Sequence, residues 1–539
     1  MPAPDPPMMD ADGSLPSAFA DPILSCAEAR RWEADLLADD DAATWKAMQA
    51  AGRAVGASIF QDLQEVGLPT VGRILVLVGK GHNGGDALIA LSTLLERKPE
   101  WRALIVLSSG TASLRPLTRR ALEMLDLNRN PRIELAVAAG KGGDRVADSL
   151  SEESFDLCLD GLLGMAFKPP LSGATARIIE WVNRNPGIAL RAAVDLPSGI
   201  GDASDPGAFR ADFTYATGIV KRPVVLESNR DRVGRFRYLD LGFFRERRPT
   251  AESLVLKDAI LDPLRALRPP ATDKRSFGHV FVLTGSRPYP GALLMAVRAA
   301  LQSGAGLVTA FAPESLAAAL PAHAPEAIWV PWPETLAGSL ALEGRHLLVS
   351  RRERCGSLVM GPGLGREEET LRLVAEADRL VDVPVALDAD ALQKGLVDEL
   401  AGRRDRVAPL VLTPHAGEFA RIAEEDPNDR SLLGYSQRLG VITCLKGPVT
   451  RISNGNRIYL SPYGGPVLAR GGSGDLLAGI LGTALAGCPG AILEATCRAV
   501  VWHGRAADLL ARSRGPVAVR TGEVLDFLSP VLRRSDHGC

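Results

Sequence analysis

The sequence predicts an α/β protein built from two doubly wound domains, each a largely parallel sheet covered by helices. Three observations carry this. Short runs such as Arg73–Val78 (RILVLV) and His279–Leu283 (HVFVL) are hydrophobic almost without a break, as strands buried on both faces are. They alternate with segments of helical apolar spacing through both halves of the chain. Glycines and short polar residues cluster directly after them: GKGHNGGD at 79–86, DGLLG from Asp160, DLPSG from Asp195, GPGLG at 361–365 and GGSGD at 471–475. In an open parallel sheet the ligand crevice lies beyond the C-terminal ends of the strands, so each half should carry a site there.

Composition narrows what such sites serve. A chain of 539 residues has room for two to four domains of about 150 residues each. With 46% hydrophobic and 23% charged residues it reads as a soluble globular protein. The net charge of −2 supplies no basic face, so nucleic acid and anionic membrane are excluded as main partners and small molecules are expected. Seven cysteines without a CxxC pair (26, 158, 355, 444, 488, 497 and 539) argue against a disulfide framework or structural zinc and for a reducing cytoplasm. Residues 1–22 lack the basic and apolar regions of a signal peptide and are expected to form a disordered tail. No apolar run is long enough to span a bilayer. A homo-oligomer is left open.

In chain order, Ser25 to Ala38 and Trp45 to Glu65 have helical spacing and end before Gly67 and Pro69. The strand Arg73–Val78 feeds the loop 79–86 and then the helical ALIALSTLLE. Gly79, Gly81 and Gly84 spell GxGxxG, the dinucleotide fingerprint. The next strand, Arg102 to Leu107, nevertheless ends in Ser108, Ser109 and Gly110, where that fingerprint needs an acid for the ribose. The loop must hold something else, or hold it differently. Further strands end at Asp160 and Asp195, so Asp86, Asp160 and Asp195 should converge on one cleft with Asn83 and Ser198. Three acids without matching arginines point to proton chemistry or to a cation. The alternative is that each Asp only caps the turn after its strand.

Arg245 to Thr272 is charged and Pro-rich, as linkers are, which places the domain boundary near 248. Beyond it, His279 to Leu283, Leu307 to Phe311, Leu358 to Met360, Val383 to Leu387, Leu410 to Leu412 and Val441 to Leu445 alternate with helical segments. Gly471, Gly472 and Gly474 stand before the apolar helix LLAGILGTALAG, whose free N–H groups and dipole suit a phosphate. Asp475 would repel that phosphate unless it has another task, and removing a proton from the accepting hydroxyl is the natural one. A plain helix cap is the competing assignment.

The segments MQAAGRAVG, VGKGHNGGDALIAL, DGLLGMAFKPPLSG and AVDLPSG resemble the epimerase domain of bifunctional NAD(P)H-hydrate repair enzymes. SFGHVFVLTGS, YPGALLMAVRAALQSGAGLVT, VMGPGLG, LDADAL, LTPHAGE, LKGPVT and GGSGD resemble that family's dehydratase domain. The resemblance implies a Rossmann-like epimerase domain at 23–247 and a ribokinase-like, ADP-dependent dehydratase domain at 248–533. Together they would act on NADHX and NADPHX, the 6-hydrated reduced cofactors. In the first domain it implies hydrate binding by His82, Asn83, Gly84, Gly85, Asp86, Gly164, Met165, Ala166, Phe167, Lys168, Pro169, Pro170 and Asp195, with Asp195 catalytic. It places potassium on Asn83, Asp160 and Ser198, hard oxygen donors suited to an alkali cation. In the second it implies hydrate binding by Ala292, Gly363, His415 and Asp475, with Asp475 the base. ADP with Mg²⁺ would lie on Lys446, Gly447, Pro448, Val449, Thr450 and Gly474.

Three positions and one run depart from the family pattern. His82 replaces the usual Asn, GMAFKPP replaces a GTGLRG-like run, and Pro290 and Arg470 replace Thr, the arginine being a candidate phosphate contact. The competing function is a vitamin or sugar kinase fused to a non-catalytic interaction module.

Overall fold

The computed structural model describes residues 14–38, 40–67, 69–138, 153–403 and 405–533. They divide into two compact units, one of residues 22–251 and one of residues 252–533 joined by residues 14–21.

The first unit holds a seven-stranded sheet among the described residues. Its order is Ile133–Val137, Arg102–Leu107, Arg73–Val78, Leu157–Gly161, Arg191–Val194, Phe213–Thr217 and Arg235–Leu239, with every pairing parallel. Strands Arg73–Val78 and Leu157–Gly161 are almost wholly buried, as their unbroken hydrophobicity requires. From Arg73–Val78 the chain winds outward through the next two strands, then returns to start the other wing at Leu157–Gly161. The strand order therefore reverses between these two neighbours, which is where a doubly wound sheet opens a crevice. Gly79 sits at that reversal, and a Cβ there would stand 1.8 Å from Leu162 O. Only glycine lets the two loops meet so closely.

The second unit's sheet runs Ile328–Trp332, Leu307–Pro313, His279–Leu283, Ser357–Met360, Val385–Leu387, Val411–Leu412, Ile442–Leu445, Thr450–Ser453, Ile458–Ser461 and Ser253–Leu256. Its order reverses between His279–Leu283 and Ser357–Met360. Thr450–Ser453 is antiparallel to both neighbours, in a sheet whose other pairings along this order are parallel. The connections are KGPV and NGNR, too short for a parallel crossover, so the chain folds back as hairpins.

Two expectations about the ends of the units are corrected. The tail was drawn to residue 22; residues 1–13 lie outside the described set, but from Ser14 the chain is packed. Leu15 (4% exposed) and Phe19 (6%) join the second unit's core. Leu15 N–H donates to Tyr459 Oη at 3.1 Å, and Lys257 N–H donates to Phe19 O. The linker read across 245–272 contains the strand Ser253–Leu256, paired with Ile458–Ser461, because Leu254, Val255 and Leu256 are apolar enough to be buried. Among the described residues no helix is long and apolar enough to cross a membrane.

Candidate active sites

In the first unit the Gly loop is short, because the helix His82–Arg97 begins at once, with Gly81 as its N-cap. Asn83 therefore lies in the first helical turn, and its Nδ2 donates to Leu163 O at 2.8 Å across the sheet reversal. Asp160 is fully buried at the end of its strand. Its Oδ1 accepts from Ser198 Oγ at 2.7 Å and from Leu162 N at 3.1 Å, and its Oδ2 accepts from Ser198 N at 2.7 Å. Ser198 Oγ in turn accepts from Leu163 N at 2.8 Å.

Asn83, Asp160 and Ser198 thus meet around one turn. Burial pushes the Asp160 carboxyl up to about 6 despite three hydrogen bonds, and among the described residues the groups that shift it include no Lys or Arg. A buried carboxylate with only neutral donors around it, beside an amide and a hydroxyl, is an electrostatically apt place for an alkali cation.

Asp195 lies at the other edge of the crevice with φ 65°, a left-handed conformation uncommon outside glycine and of the kind that collects at functional sites. Its Oδ1 accepts from Lys221 Nζ at 2.6 Å and from Thr217 N and Oγ1, each at 3.2 Å. A small pocket lined by His82, Asp86, Thr217, Glu33, Met48 and Phe243 opens beside it. Burial, then repulsion from Asp195 and Glu33, holds the Asp86 carboxyl well above the usual range. Burial and Arg115 pull His82 down.

Residues 164–170 form a mostly exposed loop. A Cβ on Gly164 would lie 3.6 Å from Asn83 Cβ, so the loop begins beside Asn83. Lys221 and Glu33 were not anticipated. A lysine at the end of a buried strand was a readable signal, whereas Glu33 on an amphipathic helix was not.

The second unit builds its site on the helix Ser473–Gly487. Gly472, at φ 89°, is its N-cap, and the helix has no side-chain cap hydrogen bond. Asp475 in the first turn therefore does not do the capping that competed with a catalytic role. Its carboxyl is pushed up to about 6 by burial and by Asp388, against the pull of Lys446. Lys446 Nζ donates to Asp388 Oδ1 at 2.6 Å, and a Cβ on Gly474 would stand 3.3 Å from both partners. The glycine loop, the lysine and two carboxylates are thereby one cluster. Asp388 stands directly after the strand Val385–Leu387.

Helix Pro290–Gln302 carries two further contacts. A Cβ on Gly363 (φ 59°) would meet Ala292 Cβ at 2.8 Å, and one on Gly472 would meet Met295 Cε at 2.3 Å. Pro290 is the first residue of that helix, where a missing N–H costs nothing.

His415 is the N-cap of Ala416–Ala423, its Nδ1 accepting from Gly417 N at 3.0 Å and Glu418 N at 3.2 Å, with the side chain 61% exposed. Lys446 to Thr450 span a half-exposed hairpin turn. Arg470 is turned away from any phosphate: its guanidinium donates to the carbonyls of Val519, Pro516 and Val517.

Two family models match the chain: "YjeF-related protein N-terminus" over residues 46–223 and "NAD(P)H-hydrate dehydratase" over residues 280–529. The bifunctional NAD(P)H-hydrate repair enzyme of Moorella thermoacetica is 33% identical over 507 residues, 91% of this chain and 92% of that one. The enzyme of the same name from Gloeobacter violaceus is 35% identical over 486 residues, 86% of this chain and 89% of that one. Among solved structures, a ribokinase-like superfamily protein from Enterococcus faecalis V583 is 27% identical with a TM-score of 0.46, covering 53% of this chain and 98% of that one.

Proposed function

We propose, for a chain that belongs to the family of bifunctional NAD(P)H-hydrate repair enzymes, that each unit performs one step of hydrate repair. The N-terminal unit interconverts the R and S epimers of NADHX and NADPHX. The C-terminal unit dehydrates the S epimer to NADH or NADPH at the expense of ADP, giving AMP and phosphate. The observation that carries this is that the family match extends over both halves, while each half has its own carboxylate cluster.

In the first unit Asp195 exchanges protons with the substrate at C6. His82 to Asp86 and Gly164 to Pro170 hold the hydrated ring. Asn83, Asp160 and Ser198 would hold K⁺, whose charge would balance the buried carboxylate of Asp160.

In the second, Lys446 to Thr450 and Gly474 hold ADP, the helix N-terminus facing its phosphates. Mg²⁺ typically binds through phosphates and one or two carboxylates, and Asp388, beside Lys446 and Gly474, would supply one next to ADP. Ala292, Gly363 and His415 place the hydrate. Asp475 takes the C6 hydroxyl proton as phosphate is transferred to that oxygen. The C6–O bond then breaks with the phosphate, and loss of the C5 proton restores the dihydropyridine.

The test adds separated NADHX epimers to the protein with ADP or ATP and follows recovery of absorbance at the NADH band. Recovery with ADP is expected, and none with either nucleotide would remove the dehydratase. Asp195→Asn should block epimer interconversion and leave dehydration of the S epimer intact. Loss of both activities in a folded protein contradicts the division.

A further inference from the structure

Lys221 is 1% exposed, and its ammonium lies between two carboxyls: Asp195 Oδ1 at 2.6 Å and Glu33 Oε1 at 3.6 Å. Glu33, from the helix Cys26–Leu37, lines the pocket that Asp86, His82 and Thr217 also line. A buried lysine could neutralise one carboxylate, yet here it is shared, and the second carboxyl faces the substrate pocket rather than the core. We propose that Glu33 is a second proton-transferring carboxyl of the epimerase site, joined to Asp195 through the Lys221 ammonium. The inference rests on the epimerase reading of this unit.

The chemistry asks for two such groups. C6 of the hydrate carries a hydroxyl beside the ring nitrogen. Inversion there proceeds when the hydroxyl takes a proton and leaves as water, the N1 lone pair forming an N1=C6 double bond. Water then adds to the opposite face, its oxygen lone pair forming the new C6–O bond while the N1 lone pair is restored. Its surplus proton must go to a base. With Glu33 as donor and Asp195 as acceptor, one turnover leaves Glu33 ionised and Asp195 protonated. Lys221 resets the pair by giving a proton to Glu33 and taking one from Asp195, so atoms and charge balance over the cycle.

The surroundings suit a donor near neutral pH. Burial pushes the Glu33 carboxyl up to about 7, with Asp195 adding to the rise and Lys221 opposing it. The Asp86 carboxyl is itself held up, and the Cys26 thiol, pushed up to about 12 by burial and Asp202, stays neutral. A group that must be protonated to act loses activity as pH rises through its pKa, so epimerisation should show a basic limb near pH 7.

Epimer interconversion, followed chromatographically from one pure epimer without nucleotide, tests this across pH. Glu33→Gln should lower kcat on the order of 10²- to 10⁴-fold and abolish the basic limb, with KM moving far less and ADP-driven dehydration of the S epimer unchanged. Glu33→Asp, which keeps the acid but withdraws it by one methylene, should lower kcat and retain the limb. The limb should persist in His82→Asn, which removes the imidazole from the pocket. Wild-type kcat and an intact limb in Glu33→Gln would overturn the inference while leaving the epimerase reading standing. No interconversion by the unaltered protein would overturn both. Should Glu33→Gln fail to melt cooperatively, Glu33→Asp decides: an unchanged kcat there also overturns the inference.

Discussion

At the scale of single residues, the informative comparison is Asp475 with Asn. Asn caps a helix about as well as Asp, but it cannot accept the hydroxyl proton. Because the helix Ser473–Gly487 uses no side-chain cap, Asp475→Asn should lower dehydration on the order of 10²- to 10⁴-fold. Its carboxyl is raised, so the ionised form costs stability that is regained as pH falls from about 6 and is fully restored below the unfolded value; at neutral pH the Asn variant should melt no lower than the parent. As a base that must be ionised, Asp475 should also give kcat/KM an acidic limb, with activity falling as pH drops through about 6. Initial rates and melting curves on one preparation check all three. Asp195 and Asp475 were legible because each follows a strand or a glycine loop. Glu33 was not, since its meaning comes from Lys221, 188 positions away; the pairings Lys221–Asp195 and Lys446–Asp388 likewise join residues 26 and 58 positions apart. Arg470 misled for the same reason: a cation beside a phosphate loop suggests a ligand contact until its carbonyl partners at 516–519 are seen.

At the scale of elements, the helix Cys26–Leu37 is placed by its first turn. Ser25 and Glu28 form a capping box, and Asp202 accepts from Cys26 N at 2.7 Å and Ala27 N at 2.9 Å. A carboxylate on two free N–H groups at a helix start is favourable in both hydrogen bonding and dipole terms. Asp202→Ala should destabilise the unit by about 1 kcal/mol and, by loosening the element that carries Glu33, lower epimerisation without changing its pH limbs. A melting curve together with a pH profile separates this from loss of a titrating group. The strands named from continuous hydrophobicity appear within a residue or two of their expected bounds, as His279–Leu283 and Arg102–Leu107 do. What the sequence concealed is direction. Thr450–Ser453 looks like any short strand, and only the length of its flanking turns reveals that it runs backwards.

At the scale of the whole molecule, the chain enters the second unit, leaves it for 22–251, and returns. Phe19→Ala should therefore cost the second unit about 3–5 kcal/mol, so that dehydration is lost at lower temperature while epimerisation persists. Parallel thermal-inactivation assays of the two activities check this. The two switch points were legible from glycine clusters after strands, but this excursion was not, since a Pro-rich start resembles a tail until Leu15 and Phe19 are seen in a core. The consequence reaches protein synthesis. Leu15 and Phe19 leave the ribosome well before Tyr459, so two apolar side chains wait without their pocket while more than half of the chain is translated. A nascent chain of this kind is exposed to aggregation and to chaperone capture for that interval. A gene cut at codon 248 would also yield a C-terminal fragment lacking part of its own core, whereas a fragment with residues 14–21 restored, even as a separate peptide, would have it back.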